Sequence, residues 1–172
     1  LTRAGARLLF NETELNISEL FKEYDADHNG HIDFAEMKNL LTDLDGGKEP
    51  TQQQIEWIIK LADKGGPEVV SEVELKNALL AWHGFEHMPQ EYADMFDEFD
   101  ADLSGALDLT ELRGLLSKIA GAEVSEYDAK EVLRTADVLG NGTITKEELL
   151  GAVGAWYVSV GRQPTDDMSI LF

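Results

Sequence analysis

Apolar residues recur at helical spacing on either side of short acidic segments. Leu15, Leu20, Phe21 and Tyr24 lie near one face of a stretch that ends at Asp25, and Phe34, Met37, Leu40, Leu41 and Leu44 resume the spacing nine residues later. The pattern predicts a helix, a polar loop of twelve residues and a second helix. It occurs four times, with loops starting at Asp25, Asp63, Asp100 and Asp137, spaced 38, 37 and 37 residues apart. A longer repeat lies over it. Phe21 to Asp27 matches Phe96 to Asp102, and Glu74 to Trp82 matches Glu148 to Trp156, so the chain reads as two similar halves. Thr51 before Gln54 and Ser125 before Asp128 have the spacing of helix N-caps with a polar partner three residues on. Gly46-Gly47-Lys48-Glu49-Pro50 breaks the helices of the first half. The stretch from His83 to Pro89 separates the halves, and its glycine and proline predict a bend there rather than a continued helix.

Charge sharpens the picture. The 172 residues carry 34 acidic against 14 basic side chains, a formal net charge of −20, with a hydrophobic fraction of 43%. That fraction suffices for a packed core, while the negative field disfavours nucleic acid and anionic membranes and attracts cations and basic partners. There is no cysteine, which removes disulfides, thiolate metal sites and thiol nucleophiles. No apolar run approaches the ~18 residues of a membrane span.

The acidic residues are placed as calcium ligands must be. Calcium takes six to eight oxygens, and a twelve-residue loop supplies them from side chains at positions 1, 3, 5, 9 and 12 and the carbonyl at 7, with glycine at 6 for a sharp turn. In the first loop these are Asp25, Asp27, Asn29, Asp33 and Glu36, with His31 at 7 and Gly30 at 6. In the third they are Asp100, Asp102, Ser104, Asp108 and Glu111, with Ala106 at 7 and Gly105 at 6. Glu36 and Glu111 can each give two oxygens, which suits calcium over the smaller octahedral magnesium. The other two loops are eroded. The second, Asp63 to Glu74, has Gly65, Pro67 and Glu68 at positions 3, 5 and 6, and no calcium is expected there. The fourth keeps Asp137, Asn141, Thr143, Thr145 and Glu148 as candidates for a weak site, but Leu139 at position 3 offers no oxygen.

In these loops the chain resembles the EF-hand superfamily, which includes calmodulin and troponin C, over about residues 12–160. The resemblance implies an all-α fold of two lobes, residues 12–83 and 89–160. In each lobe a pair of helix–loop–helix units is joined by a short two-stranded contact between its loops. Ile32 would face Val70 and Leu107 would face Ile144. An N-terminal arm (1–11), a linker (84–88) and a C-terminal tail (161–172) complete the division. It further implies calcium as the cofactor, with two sites, and a calcium sensor or calcium-responsive regulatory subunit acting in the cytoplasm. The expected partner is a protein, either a basic amphipathic helix or a larger assembly. Met37, Trp82, Met95 and Trp156 are the candidates for contacting it. A calcium-stabilised structural subunit and the regulatory part of a longer enzyme are the alternatives, the tryptophans and the low methionine count suiting the first.

Other signals add little. His28 and His31 fall at loop positions 4 and 7, where side chains face solvent. His83 and His87 are four apart, a spacing that binds zinc on a helix, but Gly84 and Pro89 speak against that helix. No catalytic signature is present, so the chain is not read as an enzyme. The Asn11 and Asn16 triplets matching the glycosylation pattern are read as incidental.

Overall fold

The structure, a computed structural model, describes residues 17–63 and 66–160. The arm, the tail, Leu15, both glycosylation triplets' asparagines and Gly65 lie outside the described residues. Eight helices and one two-stranded sheet are described, divided into two compact units, residues 1–82 and 83–172. No described helix is long and apolar enough to cross a membrane.

The first unit contains α1 (Ile17–Tyr24), α2 (Phe34–Leu44), α3 (Gln52–Ala62) and most of α4 (Glu72–Glu86). Each helix buries one stripe. Met37, Leu40 and Leu41 of α2, Ile55, Ile58, Ile59 and Ala62 of α3, and Leu75, Ala78, Leu79 and Trp82 of α4 follow the i, i+3, i+4, i+7 spacing that keeps side chains on one face. Each fully buried leucine or isoleucine contributes about 1.5–3 kcal/mol. Helix starts are specified locally. Thr51 caps α3 by accepting from the Gln54 amide, while the Gln54 side chain accepts from the Thr51 amide.

The second unit repeats the plan with α5 (Gln90–Phe99), β1 (Ala106–Leu107), α6 (Leu109–Ala120), α7 (Glu126–Ala136), β2 (Ile144–Thr145) and α8 (Leu149–Ser159). Leu112, Leu115 and Leu116 of α6 and Leu149, Ala152, Val153 and Trp156 of α8 occupy the positions of their counterparts in α2 and α4, around one core. Ser125 caps α7 through the Asp128 amide. Gly121 ends α6 in the left-handed conformation, φ 68°, which a side chain would disfavour. The two halves are not identical inside. Tyr24 reaches across the first hand to hydrogen-bond Asp43 at 2.8 Å, and burial and that carboxylate push its pKa up. At the matching place in the second unit, the Phe99 ring packs so closely on Gly114 that an added Cβ would lie 2.9 Å away, and the Lys118 ammonium stands 5.8 Å over the ring.

The loop contacts form as the resemblance implies. Leu107 pairs with Ile144 in the antiparallel β1–β2 sheet. Ile32 and Val70 form a bridge with reciprocal amide–carbonyl bonds of 2.7 and 2.9 Å. All four side chains are fully buried. The bend expected over residues 83–89 falls at the far end of that stretch, and the helix is not stopped by Gly84. Helix α4 does not bend at Gly84 but runs on to Glu86, and the His87 amide still bonds the His83 carbonyl at 3.1 Å. A single helical glycine costs only about 1 kcal/mol, which is too little to stop a helix whose preceding turns are buried. The chain turns at 87–89 instead, before Pro89 opens α5.

Candidate metal centres

Each strong loop is built on a frame of backbone amides aimed at carboxylates. In the first, Asp25 accepts from the amides of Asn29 and Gly30, both at 3.0 Å, and so holds the loop in a ring around itself. Asp27 accepts from the Asn29 amide at 3.1 Å and side chain at 2.8 Å, and Asn29 accepts from the His31 amide at 2.8 Å. Gly30 adopts φ 83°, the conformation that position 6 requires and glycine reaches without a clash. The third loop is built alike. Asp100 accepts from the Ser104 and Gly105 amides at 2.9 and 3.0 Å, Asp102 from the Ser104 amide at 3.1 Å, and Gly105 has φ 82°. The hydrogen bond from Ser104 holds the Asp102 carboxyl below the usual range, so it is ionised and ready for a cation.

The last ligand position is tied to the helix that follows. Glu36 accepts from the Asp33 amide at 3.0 Å and Asp33 accepts from the Glu36 amide at 2.9 Å, a reciprocal cap at the start of α2. The other Glu36 oxygen accepts from the Ala26 amide at 2.8 Å, which closes the loop end to end. Asp108, Glu111 and the Ala101 amide repeat this at 2.9, 2.9 and 3.0 Å. The reading of the sequence missed this capping role, although the Asp-x-x-Glu spacing signals it.

These frames bring the carboxylates together. Asp25, Asp27 and Glu36 offer oxygens within 4.8 Å of one another, and so do Asp100, Asp102 and Glu111; no other such group of three occurs among the described residues. Calcium binds oxygen at about 2.3–2.6 Å, so ligands on opposite sides of one ion are separated by about 4.6–5.2 Å, and the donor sets fit. Asn29, Asp33, Ser104 and Asp108 lie in the same loops, as do His31 and Ala106 at the carbonyl position. Burial differs within each set. Asp25, Glu36 and Asp100 are buried, whereas Asp27 and Asp102 are exposed toward the solvent from which an ion arrives.

The eroded loops keep the frame and lose the cluster. Asp137 accepts from the amides of Gly140, Asn141 and Gly142, Asn141 accepts from the Thr143 amide, and Glu148 accepts from the amides of Leu139 and Thr145. Burial pushes the Glu148 pKa up. Asp63 accepts from the Gly66 and Glu68 amides at 2.9 and 2.7 Å, and Glu74 from the Ser71 amide and hydroxyl. Glu68 stands at position 6 with φ 61°. The partner candidates Met37, Trp82, Met95 and Trp156 are all buried in the cores of their units. His28 and His31 are exposed, as expected.

The profile of the EF-hand domain pair matches residues 14–80 and 90–154. The chain is 28% identical over 156 residues to calcium-binding protein SPEC 2C of Strongylocentrotus purpuratus, covering 89% of this chain and 99% of that protein. It is 25% identical over 142 residues to the probable calcium-binding protein CML13 of Oryza sativa subsp. japonica, covering 83% and 82%. Among solved structures, a homolog of programmed cell death 6 protein from Leishmania major Friedlin covers 98% of this chain and 92% of its own, with 20% identity and a TM-score of 0.42.

Proposed function

The chain belongs to the EF-hand family of calcium-binding proteins, and on that footing we propose that it holds two calcium ions, one in each half, and acts as a calcium-responsive sensor or regulatory subunit. The observation that carries the stoichiometry is the pair of three-carboxylate clusters, in loops 25–36 and 100–111 and nowhere else among the described residues. Asp25, Asp27, Asn29, Asp33 and Glu36 are the side-chain ligands of one ion, and Asp100, Asp102, Ser104, Asp108 and Glu111 those of the other. The His31 and Ala106 carbonyls complete the sets. Loop 137–148 is at most a weak third site, through Asp137, Asn141, Thr143, Thr145 and Glu148.

The response follows from the double duty of the last ligand. Glu36 and Glu111 cap the first turns of α2 and α6. An ion that draws on these carboxylates pulls on the turns they cap, so ion binding and helix position are coupled. The cores that this motion would loosen contain Met37 and Trp82 in one unit and Met95 and Trp156 in the other. Exposed, they would present an apolar surface on a strongly negative protein, which suits a basic amphipathic helix.

Calorimetric titration of the full chain and of Glu36→Gln and Glu111→Gln tests the reading. Two calcium ions are expected for the parent and one for each variant. A parent stoichiometry of four, or two ions retained in either variant, overturns it.

A further inference from the structure

We infer that the turn joining the two halves is a second kind of metal site, in which His83 and His87 together bind a borderline transition-metal dication such as copper(II), nickel(II) or zinc. The inference is independent of the calcium reading. Three observations carry it. First, α4 continues far enough to set the two histidines one helical turn apart, with the His87 amide on the His83 carbonyl at 3.1 Å. Their ring centroids are 4.0 Å apart, tilted by 38°. Imidazole nitrogens bind such metals at about 2.0–2.1 Å, and histidines at i and i+4 of a helix lie on one face, where they can share one ion. Second, His87 Nδ1 lies 2.9 Å from the His83 carbonyl oxygen. A carbonyl oxygen only accepts, so Nδ1 carries the proton, and the neutral ring keeps its lone pair on Nε2. Metal-binding histidines are commonly oriented in this way, by a carbonyl on the other nitrogen. Third, His87 is exposed, so an ion reaches it from solvent.

The chemistry sets the class of ion. Two imidazoles leave the remaining positions to water, so binding is exchangeable and follows the order in which copper(II) exceeds nickel(II) and zinc. Calcium and magnesium, which select oxygen, are not taken. With no cysteine in the chain, imidazoles are its softest strong ligands.

The test is copper(II) titration of the full chain held in saturating calcium, which keeps the loop carboxylates occupied. Electron paramagnetic resonance reports the number of nitrogen ligands. One ion with two coupled nitrogens is expected. Affinity should fall about tenfold or more in His87→Gln and in His83→Gln, and stay unchanged in the His28→Gln chain. Far-UV circular dichroism checks that α4 persists, and the exposed His87 provides the decisive variant if His83→Gln disturbs the fold. Undiminished copper binding in His87→Gln overturns the inference, as does its loss in the His28→Gln chain.

Discussion

The second and fourth loops have both departed from the ligand pattern, but by different amounts, and the difference separates what shapes such a loop from what binds an ion. Loop 137–148 keeps every amide-to-carboxylate bond around Asp137, and Gly142 holds φ 79° at position 6. It lacks one oxygen, at Leu139. Loop 63–74 has lost the side-chain oxygens of positions 3 and 5 and puts Glu68 where glycine belongs. Both still place a buried β-branched residue, Ile144 or Val70, against the partner loop. Shape therefore needs only the first and last carboxylates and the apolar contact, whereas the three-carboxylate cluster also needs position 3.

The severest test of that separation is Ile144→Ala. Ile144 is fully buried and paired with Leu107 across the sheet. Its truncation removes apolar contacts and leaves a cavity, at a cost of about 2–5 kcal/mol. No proposed ligand is touched. Chemical denaturation of the calcium-loaded protein should show that loss with the two-ion stoichiometry intact. A cost below about 1 kcal/mol would mean that the eroded loop does not support its neighbour.

Leu139→Asp approaches the same comparison from the ligand side. It supplies the missing position-3 carboxylate beside Asp137 and Glu148, within a frame that is already formed. Calcium affinity of the fourth loop should rise about 10–100-fold, equivalent to about 1.4–2.7 kcal/mol, and calorimetry should count three ions instead of two. An unchanged count would show that something other than the absent oxygen silences the loop.

The part of this molecule written in short-range spacing was legible. Loop positions and the caps at Thr51 and Ser125 follow from residues within a dozen places of each other, and local chemistry decides them; the two loop contacts, Ile32 with Val70 and Leu107 with Ile144, join distant loops and came from the family resemblance instead. The continuation of α4 was not legible, because Gly84 and Pro89 are local breakers while the force that holds the helix is burial of Leu75, Ala78, Leu79 and Trp82 upstream. With that helix went the nearness of His83 and His87. Nor does a helical stripe show whether its methionines and tryptophans face a core or a groove, since both demand the same apolar spacing; the structure buries Met37, Trp82, Met95 and Trp156. Trp57 shows the limit of the repeat as a guide. It is buried in the first unit, whereas Glu131 at the matching place borders an open groove of about 500 Å³ between α7 and α8.

The smallest expected effect lies in the most eroded loop. Glu68 holds φ 61° at the position where Gly30, Gly105 and Gly142 hold 83°, 82° and 79°. A residue with a Cβ in that region carries a cost of about 1–2 kcal/mol. Glycine relieves it but adds about 0.5–1 kcal/mol of chain entropy in the unfolded state. Glu68→Gly should therefore stabilise the fold by up to about 1 kcal/mol, because the bond it makes to Asp63 comes from its backbone amide and survives the change. The calcium count should stay at two, since Gly65 and Pro67 still offer no side-chain oxygen. Gly105→Ala, at φ 82°, should move the other way by a similar amount, up to about 1 kcal/mol. Urea denaturation of the two variants beside the parent measures both. If Glu68→Gly destabilises, the glutamate side chain holds the loop through contacts worth more than the conformation costs, and the second loop is maintained by interactions of its own rather than by the frame it shares with the fourth.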